Sequence, residues 1–271
     1  ALYIPTVESG LGVVMEVSEY IGYVAAEGDR FACAAEQGEL TAPIASCPGW
    51  DMRDLVCHLG MIHLWAAANV AFPEPDWLDV EELPDLGRYW PDLASAGYPA
   101  DSELVPWYRN TLANLVDVLK SAPADLEAFT FLPAPSPLTM WSRRQASEIA
   151  IHRFDAEQAR GLPSHFEPHF AADMLDELLS GFAPRTKAAD LESPQVISVQ
   201  AEDTGDTWYV TLDPERTATA RHGEPADLAL SGTAAELYLL LWNRTADSSV
   251  SMTGDVDLMT HWHGGVRVRW S

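Results

Sequence analysis

The spacing of apolar residues changes from a helical period to a strand period near residue 190, and that change divides the chain into two differently built parts. Ahead of it the repeat is helical. Val13, Val17, Tyr20, Val24, Phe31 and Ala35 fall on one face with Gly38 beyond them, which predicts a first helix from about Val13 to Ala35. After a loop holding Pro43, Pro48 and Gly49, Asp51 is placed to cap a second helix. Asp54, three residues on, completes a shortened capping box, and the helix extends to about Phe72. Leu104, Tyr108, Leu112, Leu115 and Leu119 mark a third helix, opening at Asp101 or Ser102 and closed by Pro123. The fourth runs from about Thr139 to Arg160 and stops at Gly161 with Pro163 behind it. Four long helices joined by loops form a bundle.

Phe170, Met174, Leu178 and Phe182 then place a further amphipathic helix before a polar linker from Pro184 to Pro194. Beyond it, alternation predicts strands at Val196–Val199, Trp208–Leu212, Leu228–Leu230 and Val266–Trp270, with one helix from Ala234 to Trp242. The expected class is α+β: a four-helix bundle over residues 1–163, then a linker helix and a small α+β domain over 164–271. The stretch from Pro73 to Ala100 is rich in Pro, Asp and aromatic residues. It is long for a simple connection and reads as a candidate lid.

Sixteen Lys and Arg against 41 Asp and Glu give a net charge of −25, which repels phosphate backbones and anionic lipid. Nucleic acid and membrane partners are therefore not expected. There is no run of about 20 apolar residues and no basic segment followed by an apolar stretch at the start of the sequence, so a cytoplasmic protein is expected. Cys33, Cys47 and Cys57 lack C-x-x-C spacing and read as small buried residues.

On the fourth helix Glu148 and His152 lie one turn apart on one face, with Asp155 a turn further. Alone, that spacing also describes a solvated polar stripe. On the second helix, however, His58 is in phase with Leu55, Ile62, Trp65 and Ala66 and points inward, where an imidazole needs a partner. One divalent metal would satisfy His58, Glu148 and His152 together. Two imidazoles and a carboxylate suit zinc and leave a coordination position open, as catalytic zinc sites do; nickel, iron(II) and manganese accept the same donors. His63, five residues from His58, is about 140° around the helix and cannot join them. His261 and His263 precede Gly264 and Gly265 without a third ligand and read as a solvated turn. The sequence contains no Gly-rich phosphate loop, no G-x-S-x-G elbow and no H-E-x-x-H motif.

The segments CPGWDMRDLVCHLG (Cys47–Gly60) and WSRRQASEIAIHRFDAEQARG (Trp141–Gly161) resemble, in order and spacing, the paired signatures of the mycothiol-dependent maleylpyruvate isomerase-like family. That family belongs to the DinB-like metalloenzyme bundles, and the resemblance assigns the metal ligands to His58, Glu148 and His152. Leu228–Gly254 further resembles part of the sterol carrier protein type 2 domain that many members carry at the C-terminus. The resemblance implies a metal-dependent enzyme using mycothiol or a related thiol on a small electrophilic metabolite, as an isomerase or a thiol S-transferase. A metal-held thiolate is the nucleophile either way. Asp155 is placed to orient a ligand imidazole or contact the cofactor. Arg244 is placed either to clamp a substrate anion or to meet the end of its helix. Two other classes stay open: a metal-dependent hydrolase or lyase without thiol, and a small-ligand binding module with a structural metal.

Overall fold

The computed structural model describes residues 15–72, 97–188, 190–223 and 225–266. They form two compact units, one over Met15–His165 and one from Phe166 onward. Among the described residues no helix is long and apolar enough to cross a membrane.

The first unit is built on α1 (Val17–Glu36), α2 (Met52–Ala71), α3 (Asp101–Ser121) and α4 (Pro137–Ala159). Each start has a local cause. Glu16 and Glu19 form a capping box at α1, so that helix opens at Val17; Val13 lies outside the described residues. At α2 the Asp51 carboxylate accepts from the Asp54 amide at 3.0 Å and Asp54 returns the bond at 3.1 Å, the box read from sequence. Ser136 caps α4 through the Thr139 amide at 3.1 Å, and Pro137 occupies the first turn, where a missing N–H costs nothing.

Two glycines let the helices approach closely. A Cβ on Gly60 of α2 would stand 2.3 Å from the Trp107 ring of α3, and one on Gly28 of α1 would stand 2.5 Å from Leu112. The far end of α1 is closed by Arg160, whose guanidinium donates to the carbonyls of Ala34, Ala35 and Glu39, each at 3.1 Å.

Helix α4 is the central element. Twenty of its 23 residues are buried, among them Arg143, Arg144, Glu148, His152, Arg153, Asp155 and Glu157. Buried charges need partners, and one network supplies several. Arg153 donates to Glu27 of α1 at 2.6 Å, to Glu157 at 2.7 Å and to the His165 carbonyl at 3.0 Å. Arg30 adds a second cation to the same two carboxylates.

The second unit opens with α5 (Pro168–Asp176), which widens into a π-helical turn (Glu177–Phe182) and a short 3-10 turn (Ala183–Arg185). A five-stranded sheet follows: β1 (Gln195–Ala201), β2 (Thr207–Leu212), β3 (Ala218–Ala220), β4 (Leu228–Gly232) and β5 (Ser251–Gly254), in the order β3-β2-β1-β4-β5. Only the β1–β4 pair is parallel, with Val199 opposite Leu230. Helix α6 (Ala234–Leu241) connects β4 towards β5, and α7 (Leu258–Gly265) packs Leu258, Met259 and Trp262 inward. Gly254 has a φ of +114° and a Cβ there would meet the Asp227 carbonyl at 2.2 Å, so the glycine that trails the Leu-rich segment is required by the β4–β5 pairing.

The α+β class and the helical bundle match the expectation; some elements do not. Strands β3 and β5 were not anticipated. His261 and His263 lie on a helix, not a solvated turn: the buried Trp262 donates its indole N–H to the Leu241 carbonyl at 2.9 Å and anchors α7. His263 bonds Asp247 at 2.9 Å and also Asn243. Of the strand expected at Val266–Trp270, Val266 closes α7 and the remainder lies outside the described residues, as do residues 73–96 of the candidate lid.

Candidate metal centre

The signature loop and two helices bring the site together. His58 projects from the second turn of α2, Glu148 and His152 from successive turns of α4, and the ligating atoms of all three lie within 4.8 Å of one another. His58 Nε2 stands 3.1 Å from Glu148 Oε1, and His152 Nε2 stands 3.4 Å from the same oxygen. The two imidazole rings meet edge to face at 5.1 Å. The His58 side chain keeps 15% of its surface exposed and Glu148 only 4%, so the cluster is open at the α2 side. His63 points elsewhere, fully buried, with Nδ1 3.1 Å from Thr111 Oγ1. Burial pushes its pKa down to about 3, which keeps it neutral.

The partners of these groups set their protonation. Burial alone raises the pKa of Glu148, but Arg144, donating at 2.6 Å, and the two histidines outweigh it and hold the carboxyl well below its usual range. Glu148 is therefore an anion with one oxygen directed at the histidines. His152 Nδ1 lies 2.9 Å from Asp155 Oδ2; an acceptor-only carboxylate makes that nitrogen the donor and leaves Nε2 to face Glu148 and His58. Asp155 is fixed in turn by Ser46, whose hydroxyl donates at 2.6 Å. For His152, burial lowers the pKa, and the carboxylates of Asp155 and Glu148 reverse that to a net rise.

Asp155 thus stands where an orienting group would stand. Arg244 belongs to the other unit and donates to the Trp242 carbonyl at 2.9 Å just past the end of α6, in line with the helix-end alternative. The cysteines divide three ways. Cys57 is buried, with its thiol pushed up to about 11 mainly by burial; Cys33 is exposed; Cys47 is half-buried with Sγ 4.0 Å from Asp155 Oδ2. The reading of all three as buried residues fails for Cys33 and Cys47. Cys47, His152 and Asp155 also lie within 4.8 Å of one another, a proximity that the linear spacing of residues 47 and 152 does not reveal.

Comparison with known proteins gives a consistent assignment. Residues 23–157 match the model of the mycothiol maleylpyruvate isomerase N-terminal domain, and residues 169–261 match that of the C-terminal domain of the same family. Among curated proteins no sequence match was found. Among solved structures, the chain is similar to the crystal structure of the mycothiol-dependent maleylpyruvate isomerase, with a TM-score of 0.61 and 14% identity over 89% of this chain and 95% of that one. A histidine-to-alanine mutant of that enzyme matches with the same TM-score at 12% identity, over the same shares of the two chains. At these identities the structures support the fold, and the two domain models, matched in order, support the family. This chain belongs to the mycothiol maleylpyruvate isomerase family.

Proposed function

We propose that this chain is a mycothiol-dependent isomerase in which His58, Glu148 and His152 hold one divalent metal ion, with zinc the expected species. The observation that carries the reading is the convergence of two imidazole nitrogens and an ionised carboxylate within 4.8 Å, backed by Asp155 on the far nitrogen of His152. That donor set fits a catalytic ion, because three protein ligands leave a position for an incoming group whereas a structural zinc is closed by four. When bound, the ion supplies the positive charge that keeps a thiol as thiolate near neutral pH.

The chain's own groups perform the remaining tasks. Glu148 is already an anion and releases no proton to serve as ligand. His152 offers Nε2 because Asp155 takes the Nδ1 proton's hydrogen bond. Trp50, its ring 5.1 Å from that of His58, covers one edge of the site. A thiol held as thiolate would supply a nucleophile able to add reversibly to a cis double bond conjugated to a carbonyl, which would permit rotation and give the trans isomer when the same thiolate departs. The substrate class, a cis-unsaturated keto acid, follows the name of the structural relative.

Incubating metal-loaded protein with maleylpyruvate and mycothiol tests this. The expected result is a trans product with the thiol undiminished after many turnovers. Thiol lost in step with product would make the chain an S-transferase, and turnover in thiol-free buffer would make it a hydrolase or lyase; either outcome overturns the isomerase reading.

A further inference from the structure

Helices α2 and α4 meet at two places, and a polar side chain is sealed between them. At one, His58 meets Glu148 at 3.1 Å; at the other, Trp65 packs edge to face on Trp141 with ring centroids 4.8 Å apart. Gln145 lies between these contacts on α4. At 100° per residue, Trp141, Gln145, Glu148, His152 and Asp155 fall within about 80° of arc, so Gln145 shares the face of the candidate ligands, one turn before Glu148. The facing stretch of α2 between the contacts holds Met61 and Ile62. Both are only half-buried, like His58, whereas the residues from His63 to Val70 that follow are all buried.

Gln145 is 1% exposed, its carbonyl oxygen is buried without a partner, and its side chain makes no hydrogen bond among the described residues. Every ionisable neighbour on this stripe is paired. A buried amide oxygen without a partner is costly, and such groups in native proteins are commonly satisfied by an ordered water, an ion or a bound ligand. The shape of the missing partner follows from the amide itself: it offers an N–H beside a C=O. An ionised carboxylate has acceptors only and mates with half of it, whereas a second amide mates with both edges.

We propose that Gln145 is the residue that recognises the thiol cofactor, by pairing with an amide next to its cysteinyl sulfur. This rests on the proposed thiol-dependent reading. Mycothiol carries its thiol on a cysteinyl unit flanked by two amides, and those groups begin three bonds from the sulfur. Gln145 stands about 4.5 Å along the helix axis from Glu148, a span that matches a sulfur at the ligand cluster with its own amide one turn away. Gln145 would thereby select N-acylated cysteinyl thiols over simple ones.

The test is a titration of cobalt-loaded protein with N-acetylcysteine amide and with 2-mercaptoethanol, read from the sulfur-to-cobalt absorption band. Wild-type protein should bind the amide thiol about tenfold more tightly, the value of one net hydrogen bond. Gln145→Met keeps the volume and removes the amide; it should erase that preference and leave 2-mercaptoethanol within about twofold. Gln145→Leu, apolar and of similar length, should do the same and serves if the Met variant does not fold. An unchanged preference in both variants, or equal weakening of both thiols, overturns the proposal while the thiol-dependent reading stands. A wild-type protein that shows no band with any thiol overturns both.

Discussion

Asp155 is hydrogen-bonded to one of the candidate ligands, His152. Its carboxylate accepts from His152 Nδ1 and from Ser46, so the imidazole is held in the tautomer that presents Nε2 to the cluster. Removing such an orienting partner typically lowers metal affinity about 10- to 100-fold. Asp155→Ala should show that loss in a competition titration against a chromophoric chelator, and unchanged affinity would mean that the packing of α4 alone fixes the ring. Acid should act in the same direction. A proton competes with metal for Nε2, and because the carboxylates of Asp155 and Glu148 raise the pKa of His152, that competition begins at a higher pH than for an ordinary histidine. The convergence of His58, Glu148 and His152, with Asp155 beside His152, was legible in sequence because helical phase turns these side chains to one place. Gln145 was not: a glutamine in a polar helix has no mark of burial until the helix proves to be covered on nearly every side. Cys47 was hidden for a related reason, since its neighbour Asp155 is 108 residues away.

At the scale of elements, α4 departs furthest from a surface helix. Its sequence is too polar to predict near-complete burial, and what makes that burial tolerable is pairing with α1. Arg153 is the centre of that pairing, fully buried between Glu27 and Glu157. Arg153→Met would leave two carboxylates facing each other with only the half-exposed Arg30 beside them, and breaking a buried pair in this way costs about 3–5 kcal/mol. Denaturant titration of metal-free protein should show a loss of that size, whereas a change under about 1 kcal/mol would show the network to be solvated. Local signals decided the element starts that sequence placed well, such as the Asp51–Asp54 box of α2 and the Thr233–Glu236 box of α6. Where tertiary contacts decided instead, sequence misled. Gly264 and Gly265 look like a turn, yet Trp262 docking under α6 draws His261 and His263 into a helix. The short strand β5 carries Ser, Met, Thr and Gly, a composition with little strand signal, and exists through its pairing with β4.

Across the whole molecule the two family domains follow one another in order, and a net charge of −25 surrounds them. That field opposes an anionic substrate, so binding depends on positive charge concentrated at the site. Arg144 is already committed to Glu148, and a bound cation would supply attraction that the proposed chemistry requires. In the proposed site three side chains hold one divalent ion whose open position receives a thiol, and X-ray absorption at the zinc edge, recorded on zinc-loaded protein before and after addition of mycothiol, tests that arrangement. The expected spectrum shows a shell of nitrogen and oxygen alone at first, then one sulfur at about 2.3 Å once the thiol is present. Sulfur already present before the thiol is added would put Cys47 in the ligand set, and a spectrum that the thiol leaves unchanged would contradict thiol binding at the ion.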